Sequence, residues 1–392
     1  MLRAGVGQSN SSLTSQAVQE AATTAMNQLG TSADIVLVFA TSEHWQNEGD
    51  FLTKLRDITK TERIVGCSGL GVLTGQAEIE GSPGIAVLAV ASDRIKTEPI
   101  LYQPLRDQDR QFGRWLSEGA GASLPISSLL ALFPDTYNSQ PHLLLQGLEE
   151  RLGPLAVVGA GCSENGAGRK TYQLCGTQIT TNAVAGLSIT GAFAASIGIT
   201  QGCQPVTEPM TVTKADGNFI CEIDHRPAFE IFARVIGAPL LANLRRALAF
   251  VFVGVPADRE RNRVGPGEYL VRNIIGIDPE KGILAVGDEV WEGEKILLTL
   301  RDGQRAREDL TQMLQRQAAQ LNGRKPDFGL YFNCCARGSS LYGMPGIDTA
   351  YIRNVLGEFP LIGFFGNFEL GPLGGNNHLL AYTGVLVLIN ET

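Results

Sequence analysis

The chain is 392 residues long, with 44% hydrophobic residues, 18% charged residues and 46 glycines. This composition excludes a disordered protein, which has fewer apolar and more charged residues, and the length predicts about two or three domains. A formal net charge of −8 argues against a broad nucleic-acid-binding surface, because such a surface needs a positive field.

The sequence predicts neither a membrane span nor a disulfide framework. The longest apolar runs, such as SSLLALF and GVLVLI, are far shorter than the roughly 20 residues that cross a bilayer. The segment MLRAGVGQSNSS lacks the hydrophobic stretch of a secretory signal. Seven cysteines without Cys-x-x-Cys spacing and four scattered histidines predict a cytoplasmic protein with no metal and no cofactor.

Taken in chain order, the predicted elements repeat one pattern three times. Each copy has a helix, an apolar strand, a second helix, a hydrophobic step ending in glycine, and a further strand. The helices are predicted over 13–29, 51–59, 112–119, 142–152, 306–321 and 348–356. The first strands begin at Asp34, Ser127 and Asp327, and the step glycines are Gly66, Gly159 and Gly363. Three similar units indicate internal duplication.

About a hundred residues between the second and third copies have mostly strand character. The segment TVTKADGNFICEI predicts a hairpin with its turn at 216–218, and PAFEIFARVIG predicts a short helix ended by Gly237. We place a domain boundary near 222–230, which gives a domain over 1–225 with two copies and a domain over 226–392 with the third. The predicted fold class is mixed α/β (α+β), with repeated helix-strand-helix-strand units and mixed sheets.

The sharpest motif follows the predicted strand that ends at Asn333. It places Cys334, Cys335, Arg337 and Gly338 in one loop, and loops at strand ends carry ligand groups in many α/β folds. Arg337 offers a planar fork of donors suited to a carboxylate or phosphate. The cysteines are either small buried residues or a nucleophile, for which His378 is the only candidate partner nearby in sequence.

Three further segments carry candidate binding residues. The strand PLIGFF leads to Gly363, Gly366, Asn367 and Glu369, and Glu369 is a candidate partner either for Arg337 or for the amino group of a ligand. Loops in the other copies, at Gly66, Cys67 and Ser68 and at residues 159–163, are candidates for binding an anion through backbone N–H groups. The alternative is that both loops are ordinary tight turns that bind nothing.

These motifs resemble the FIST family, a sensory module made of adjoining FIST-N and FIST-C parts. FNCCARGSSLYG is similar to the family's Phe-x-Cys-x-Gly-Arg-Gly through Cys334, Arg337 and Gly338, with Ala336 in place of a glycine. PLIGFFGNFELGP is similar to a second FIST-C stretch through Glu369. In the first copy, IVGCSGLG is similar to Val-Gly-Cys-Ser-x-x-Gly.

The resemblance implies a stand-alone small-molecule sensor that signals through a separate partner protein. The implied ligand is an amino acid or a related anionic metabolite, bound without nucleic acid or membrane contact. The residues expected to line its site are Cys334, Cys335, Arg337, Gly338, Gly363, Asn367, Glu369, Gly66, Cys67 and Ser68. Two alternatives stay open, namely an interaction module that acts as an adaptor and an enzyme with a cysteine nucleophile.

Overall fold

The structure, a computed structural model, describes residues 2–119, 124–166, 168–260, 262–264 and 267–392, without the side chains of 46–48 and 239. The chain divides into two compact units. The first comprises Met1–Ile199, Leu310–Leu379 and Thr383–Thr392, and the second comprises Thr200–Asp309 and Leu380–Tyr382. Within the described ranges, every helix is too short or too polar to cross a membrane.

The first copy of the repeat contains six strands and two α-helices. In chain order these are β1 (Arg3–Ser9), α1 (Thr14–Leu29), β2 (Ile35–Thr41), α2 (Glu48–Thr59), β3 (Ile64–Gly69), β4 (Gly71–Thr74), β5 (Glu78–Glu80) and β6 (Ile85–Ala91). A 3-10 helix, Ser42–Asn47, follows β2. Helix α1 buries Ala17, Ala21, Ala25 and Leu29, which is the face that helical spacing predicts.

The second copy has the same order of elements. It consists of β7 (Ile95–Tyr102), α3 (Gln111–Glu118), β8 (Leu129–Pro134), α4 (Pro141–Leu152), β9 (Ala156–Ala160), β10 (Gln173–Cys175), β11 (Gln178–Thr180) and β12 (Val184–Gly191). The third copy begins with β13 (Phe193–Gln201).

The second unit contains a β-barrel and helices. Its elements are β14 (Cys203–Pro205), β15 (Met210–Asp216), β16 (Phe219–Ile223), β17 (Arg226–Pro227), α5 (Ala228–Leu241), α6 (Leu244–Ala247), β18 (Val251–Pro256), β19 (Tyr269–Asp278), β20 (Ile283–Val286) and β21 (Lys295–Arg301). Strands β21, β15, β16, β20, β19 and β18 pair in that order, and β18 pairs back with β21 to close the barrel. The predicted hairpin is β15–β16.

The third copy resumes after the barrel. It consists of α7 (Gly303–Leu321), β22 (Phe328–Cys334), α8 (Gly338–Tyr342), α9 (Ile347–Leu356), β23 (Leu361–Gly366), β24 (Glu369–Leu373), β25 (Asn376–Leu380) and β26 (Thr383–Glu391). One detail differs from the sequence prediction, because the expected loop CCARGSSLYG contains the short helix α8. Gly237 has the non-helical angles φ 70° and ψ 172° and separates two helical stretches within α5, so the stretch that begins at Ala228 ends at Gly237 as predicted.

Each copy builds a six-stranded sheet around one parallel pair of strands. The sheet orders are β1-β6-β2-β3-β10-β11, β25-β24-β9-β8-β12-β7 and β13-β26-β22-β23-β4-β5. The parallel pairs are β2–β3, β8–β9 and β22–β23. The structure therefore confirms the mixed α/β fold class and its repeated units.

The three copies exchange strands in a cycle. Strand β4 of the first copy pairs with β23 of the third, β10 of the second pairs with β3 of the first, and β24 of the third pairs with β9 of the second. Each sheet is therefore completed by a neighbouring copy. The exchange brings the ends of all three parallel strand pairs together inside the first unit.

Candidate functional site

The step glycines occupy equivalent places in the three sheets. Each lies on the second strand of the parallel pair, directly opposite a residue of the first strand, and a Cβ there would lie within 2 Å of that residue's carbonyl oxygen. The distances are 1.8 Å for Gly66 against Val38, 1.9 Å for Gly159 against Leu132 and 1.8 Å for Gly363 against Tyr331. Only glycine permits this close approach of two strands.

The three copies meet at a cluster of buried phenylalanine rings. Phe39, Phe133 and Phe332 are each the fifth residue of the first parallel strand in their copy. The ring of Phe364 lies 4.7 Å from Phe39, 5.9 Å from Phe133 and 6.0 Å from Phe332, measured between centroids. Beyond these rings lie the loops at the carboxyl ends of the strands. We call residues 66–70, 159–163, 334–338 and 363–369 the junction.

Two serines connect the loops of the junction. Ser163 N–H donates to the Ser68 carbonyl at 3.1 Å, and Ser163 Oγ accepts from Leu70 N–H at 2.7 Å while donating to the Phe365 carbonyl. Ser68 Oγ accepts from Tyr172 N–H at 3.0 Å. The two serine side chains therefore hold segments of all three copies in register.

Arg337 is fully buried and is paired with Asp348. Its Nε and Nη2 lie 3.1 and 3.0 Å from the two oxygens of Asp348, and Nη2 also donates to the Tyr342 hydroxyl at 2.8 Å. Burial by itself would raise the pKa of Asp348, but the Arg337 guanidinium and the surrounding hydrogen bonds lower it below its usual value. Nη1 of Arg337 has no hydrogen-bond partner among the described residues.

The alternative of an ion pair between Arg337 and Glu369 is wrong, because Asp348 occupies the guanidinium fork. Glu369 is also fully buried, and its Oε2 accepts from the N–H and the hydroxyl of Thr383 at 3.1 and 2.7 Å. Burial and the neighbouring Cys334 thiol raise the pKa of Glu369 well above its usual value, so the protonated acid is favoured. Its Oε1 has no hydrogen-bond partner in the part of the chain that the structure describes.

The two cysteines of the motif differ in exposure. Cys334 is buried, whereas Cys335 is half-buried with its Sγ 3.9 Å from Oδ1 of the exposed Asn367. Cys67 is fully buried beside Cys162, and burial followed by that contact raises its pKa well above the usual value. His378 has its Nε2 3.1 Å from the Leu373 carbonyl. Among the expected site residues, Cys335 and Asn367 are therefore the ones that solvent reaches.

Sequence reasoning missed the carboxylates that support the motif from another copy. Gly338 has φ 52°, and a Cβ there would lie 2.6 Å from the Glu80 carboxylate. Glu80 accepts from Ser339 N–H at 3.1 Å, and Glu78 accepts from Gly346 N–H at 2.8 Å. These glutamates lie more than 250 positions away in sequence, so only the exchange of strands reveals the contact.

Open clefts also lie away from the junction, including the following two. One of about 240 Å³ is bordered by β1, α1 and the segment from Gly357 to Leu361, and it includes Gln28, Arg353 and Glu358. The other, of about 470 Å³, lies on the barrel between Asp216, Phe219 and Lys281. Neither cleft is lined by any of the ten expected site residues.

Comparison with known proteins gives relatives that align along almost the whole chain. An uncharacterized protein of Mycobacterium tuberculosis is 30% identical over 389 residues, which is 99% of both chains. An uncharacterized protein of Mycobacterium bovis is 28% identical over 390 residues, which is 99% of this chain and 98% of the relative. Among solved structures, cyanuric acid hydrolase from A. caulinodans has a TM-score of 0.37 at 10% identity, with 100% of this chain and 99% of that chain covered.

Two family models match adjoining parts of the sequence. The FIST N domain matches residues 34–226, and the FIST C domain matches residues 228–372. The second match contains Cys334, Arg337 and Glu369. FIST domains are associated with sensory signal transduction. Because the two models together cover most of the sequence, the chain belongs to the FIST family.

Proposed function

We propose that this protein is a sensor of a small molecule, an amino acid or a related anionic metabolite. The observation that carries the proposal is a pair of buried polar atoms in the motif loops, Arg337 Nη1 and Glu369 Oε1, without hydrogen-bond partners among the described residues. Leaving a buried polar atom unpaired costs about 1–3 kcal/mol. A ligand that forms hydrogen bonds with both atoms removes this cost, and its binding becomes more favourable by the same free energy.

The chemistry of the two atoms suits an amino acid. Arg337 Nη1 is a cationic donor for a carboxylate, and Asp348 fixes the orientation of the guanidinium group. Glu369 is an acceptor for an ammonium group once it gives up its proton, which an approaching cation favours. Cys335 and Asn367 form the entrance in this proposal. The remaining lining residues are Cys334, Gly338, Gly363, Gly66, Cys67 and Ser68.

The burial of both atoms suggests how binding becomes a signal. A ligand reaches Arg337 and Glu369 only if a loop of the junction moves, so the moved conformation binds ligand better than the closed one. Such a difference in affinity shifts the population towards the moved conformation. A separate signalling protein that recognises the moved loop would receive the signal.

A thermal-shift screen tests the proposal. The purified chain is heated with amino acids, small carboxylic acids and nucleotides in separate reactions. A ligand present at 100 times its dissociation constant adds about 2.7 kcal/mol of stability, which raises the melting temperature by several degrees. We expect amino acids or carboxylic acids to give the shift.

Two variants test whether the ligand binds at the junction or at another surface of the protein. Glu369→Gln keeps an acceptor for Thr383 but not the charge for an ammonium group, so we expect it to lose most of an amino-acid shift. Gln76→Ala, in the cleft of about 240 Å³, is the control and should keep the shift. A melting temperature that no compound changes, or an equal shift in Glu369→Gln, would overturn the proposed site.

A further inference from the structure

The outer face of the barrel carries an apolar groove across three neighbouring strands. Strand β20 pairs with β16 on one side and with β19 on the other. Side chains alternate along a strand, and on β16 and β20 those of Ile220 and Leu284 are buried. Their neighbours reach solvent, and the apolar ones that line the groove are Phe219, Cys221, Ile283 and Ala285. The solvated face of an antiparallel sheet is ordinarily polar, so these four residues mark a surface suited to a partner.

The groove has small residues at its centre. Phe219 lies opposite Ala285 on β20, and Ala285 lies opposite Gly276 on β19. Residues that lie opposite each other point to the same face, so the Phe219 ring stands beside one methyl group and one position without a side chain. A Cβ at Gly276 would have the Cβ of Ala285 as its nearest neighbour, at 3.5 Å, so the surface above Gly276 is open. The resulting space has a volume of about 470 Å³.

Two carboxylates border the groove. Asp216 lies opposite Phe219, and Asp278 lies opposite Ile283. Asp216 is exposed and forms no ion pair with the residues that the structure describes. Asp278 Oδ2 lies 3.5 Å from Lys281 Nζ, but that lysine side chain is 75% exposed, and an exposed pair contributes little because solvent screens it. Both carboxylates are therefore available to a basic side chain of a partner.

The shape and charge of the groove indicate its occupant. Three neighbouring strands about 4.8 Å apart give it a width of about 10 Å, which matches the diameter of an α-helix with its side chains. Strands β16, β20 and β19 are each paired on both edges, so a partner cannot extend the sheet and has to bind through side chains. An apolar centre with an acidic rim complements a helix that carries apolar residues on one face and lysines or arginines beside them.

We propose that this groove docks a basic amphipathic helix of a partner protein. An apolar side chain of that helix packs against Phe219, Gly276 and Ala285, and its basic side chains pair with Asp216 and Asp278. The apolar contact supplies most of the affinity, whereas the carboxylates speed association and select against acidic partners. The groove needs no ligand at the junction, so this docking does not depend on the proposed amino-acid site.

A phage-displayed library of randomised helical peptides of about five turns tests the groove in the full chain. We expect the enriched peptides to carry apolar residues at helical spacing, with lysine or arginine next to them. The most enriched peptide is then synthesised with a fluorescent label, and its affinity for the chain is measured by fluorescence anisotropy. The affinity should fall as salt is added, because salt screens ion pairs that are exposed to solvent.

Substitutions in the groove should reduce the affinity for this peptide. Ala285→Arg fills the centre of the groove and adds a charge of the same sign as the helix, so we expect the affinity to fall at least about tenfold. Asp216→Asn removes one exposed ion pair and should weaken binding by about 2–5-fold. Asp57→Asn, which removes an exposed aspartate of α2, is the matched control and should bind as the wild type does. Glu369→Gln should also bind as the wild type does, which distinguishes this groove from the junction.

Cys221 gives a readout in the wild-type chain, in case a variant does not fold. It is half-buried and lines the groove. Bound peptide should therefore slow the alkylation of Cys221 by iodoacetamide in proportion to the fraction of chain that is bound. Cys335 at the junction should react at an unchanged rate.

Four results would overturn the proposal. They are a library without enriched sequences, enriched peptides that lack basic residues, equal affinity in Ala285→Arg, and an unchanged alkylation rate of Cys221. A dimer of the chain in analytical ultracentrifugation that dissociates in Ala285→Arg would equally overturn it, because a second copy of the chain would then be the occupant of the groove.

Discussion

At the scale of single residues, the buried Arg337–Asp348 pair determines how the motif loop is held. Asp348 accepts hydrogen bonds from Arg337, from the hydroxyls of Tyr331 and Tyr342, and from the amide of Asn333. All of these donors converge on one carboxylate that solvent does not reach. The guanidinium orientation proposed for ligand binding therefore depends on a residue that does not itself contact the ligand.

Asp348→Ala should be strongly destabilising. It leaves the buried Arg337 charge without its counter-ion, and loss of one partner of a buried pair costs about 3–5 kcal/mol. Urea unfolding of the wild type and the variant measures the difference in free energy. Glu150→Ala, which breaks an exposed pair with Arg110, is the control and should change stability little because solvent screens that pair. Equal, small effects in both variants would contradict the assigned role of Asp348.

The residues of the motif were predictable from sequence, but their partners were not. The strand end and the loop at Cys334–Gly338 follow from apolar patterning and the family motif. Many carboxylates in the sequence are candidate partners for Arg337. Only the fold brings Asp348 within hydrogen-bond distance of the guanidinium group. Glu369 was a reasonable partner by motif alone, yet it is bound to Thr383 instead.

At the scale of elements, the parallel strand pairs depend on the absence of a side chain at the step glycines. The Cβ of an alanine at position 66 would lie 1.8 Å from the Val38 carbonyl oxygen, which is backbone and has little room to move. The strands would have to separate, and their hydrogen bonds and the packing beneath them would be disturbed. The same geometry at Gly159 and Gly363 makes this a property of the repeat.

Gly66→Ala should therefore destabilise the protein by several kcal/mol or prevent folding, as measured by urea unfolding and by the yield of soluble protein. The matched control is Gly49→Ala in α2, where a Cβ has no neighbour within 4 Å. Alanine is a better helix former than glycine, so the control should be neutral or up to about 1 kcal/mol more stable. A stable, well-folded Gly66→Ala protein would show that the strands tolerate separation.

Helices and parallel strands were predictable because their signals are local, whereas the strand exchange was not. The spacing of apolar residues and the positions of the step glycines predicted α1, α4 and β2–β3 close to their observed bounds. Pairing of β4 with β23 joins residues almost three hundred positions apart, and either strand could also have paired within its own copy. The choice depends on how the three copies pack, which no local pattern encodes.

At the scale of the whole molecule, the cyclic exchange makes each copy incomplete by itself. The first copy lacks β10 without the second, the second lacks β24 without the third, and the third lacks β4 without the first. An unpaired strand edge leaves backbone N–H and C=O groups without partners. The three copies should therefore fold as one cooperative body, although the family models divide the sequence between residues 226 and 228.

Separate expression of residues 1–225 and 226–392 tests this cooperativity. Neither half should fold alone, because the sheet of the third copy needs β4–β5 from the first half and the sheet of the second needs β24 from the other. Co-expression should restore a stable complex, since all strand pairs can then form without a covalent link. Circular dichroism and limited proteolysis report folding, and the intact chain is the reference. A half that resists protease alone would show that the sequence domains fold independently and that the exchange is not required for stability.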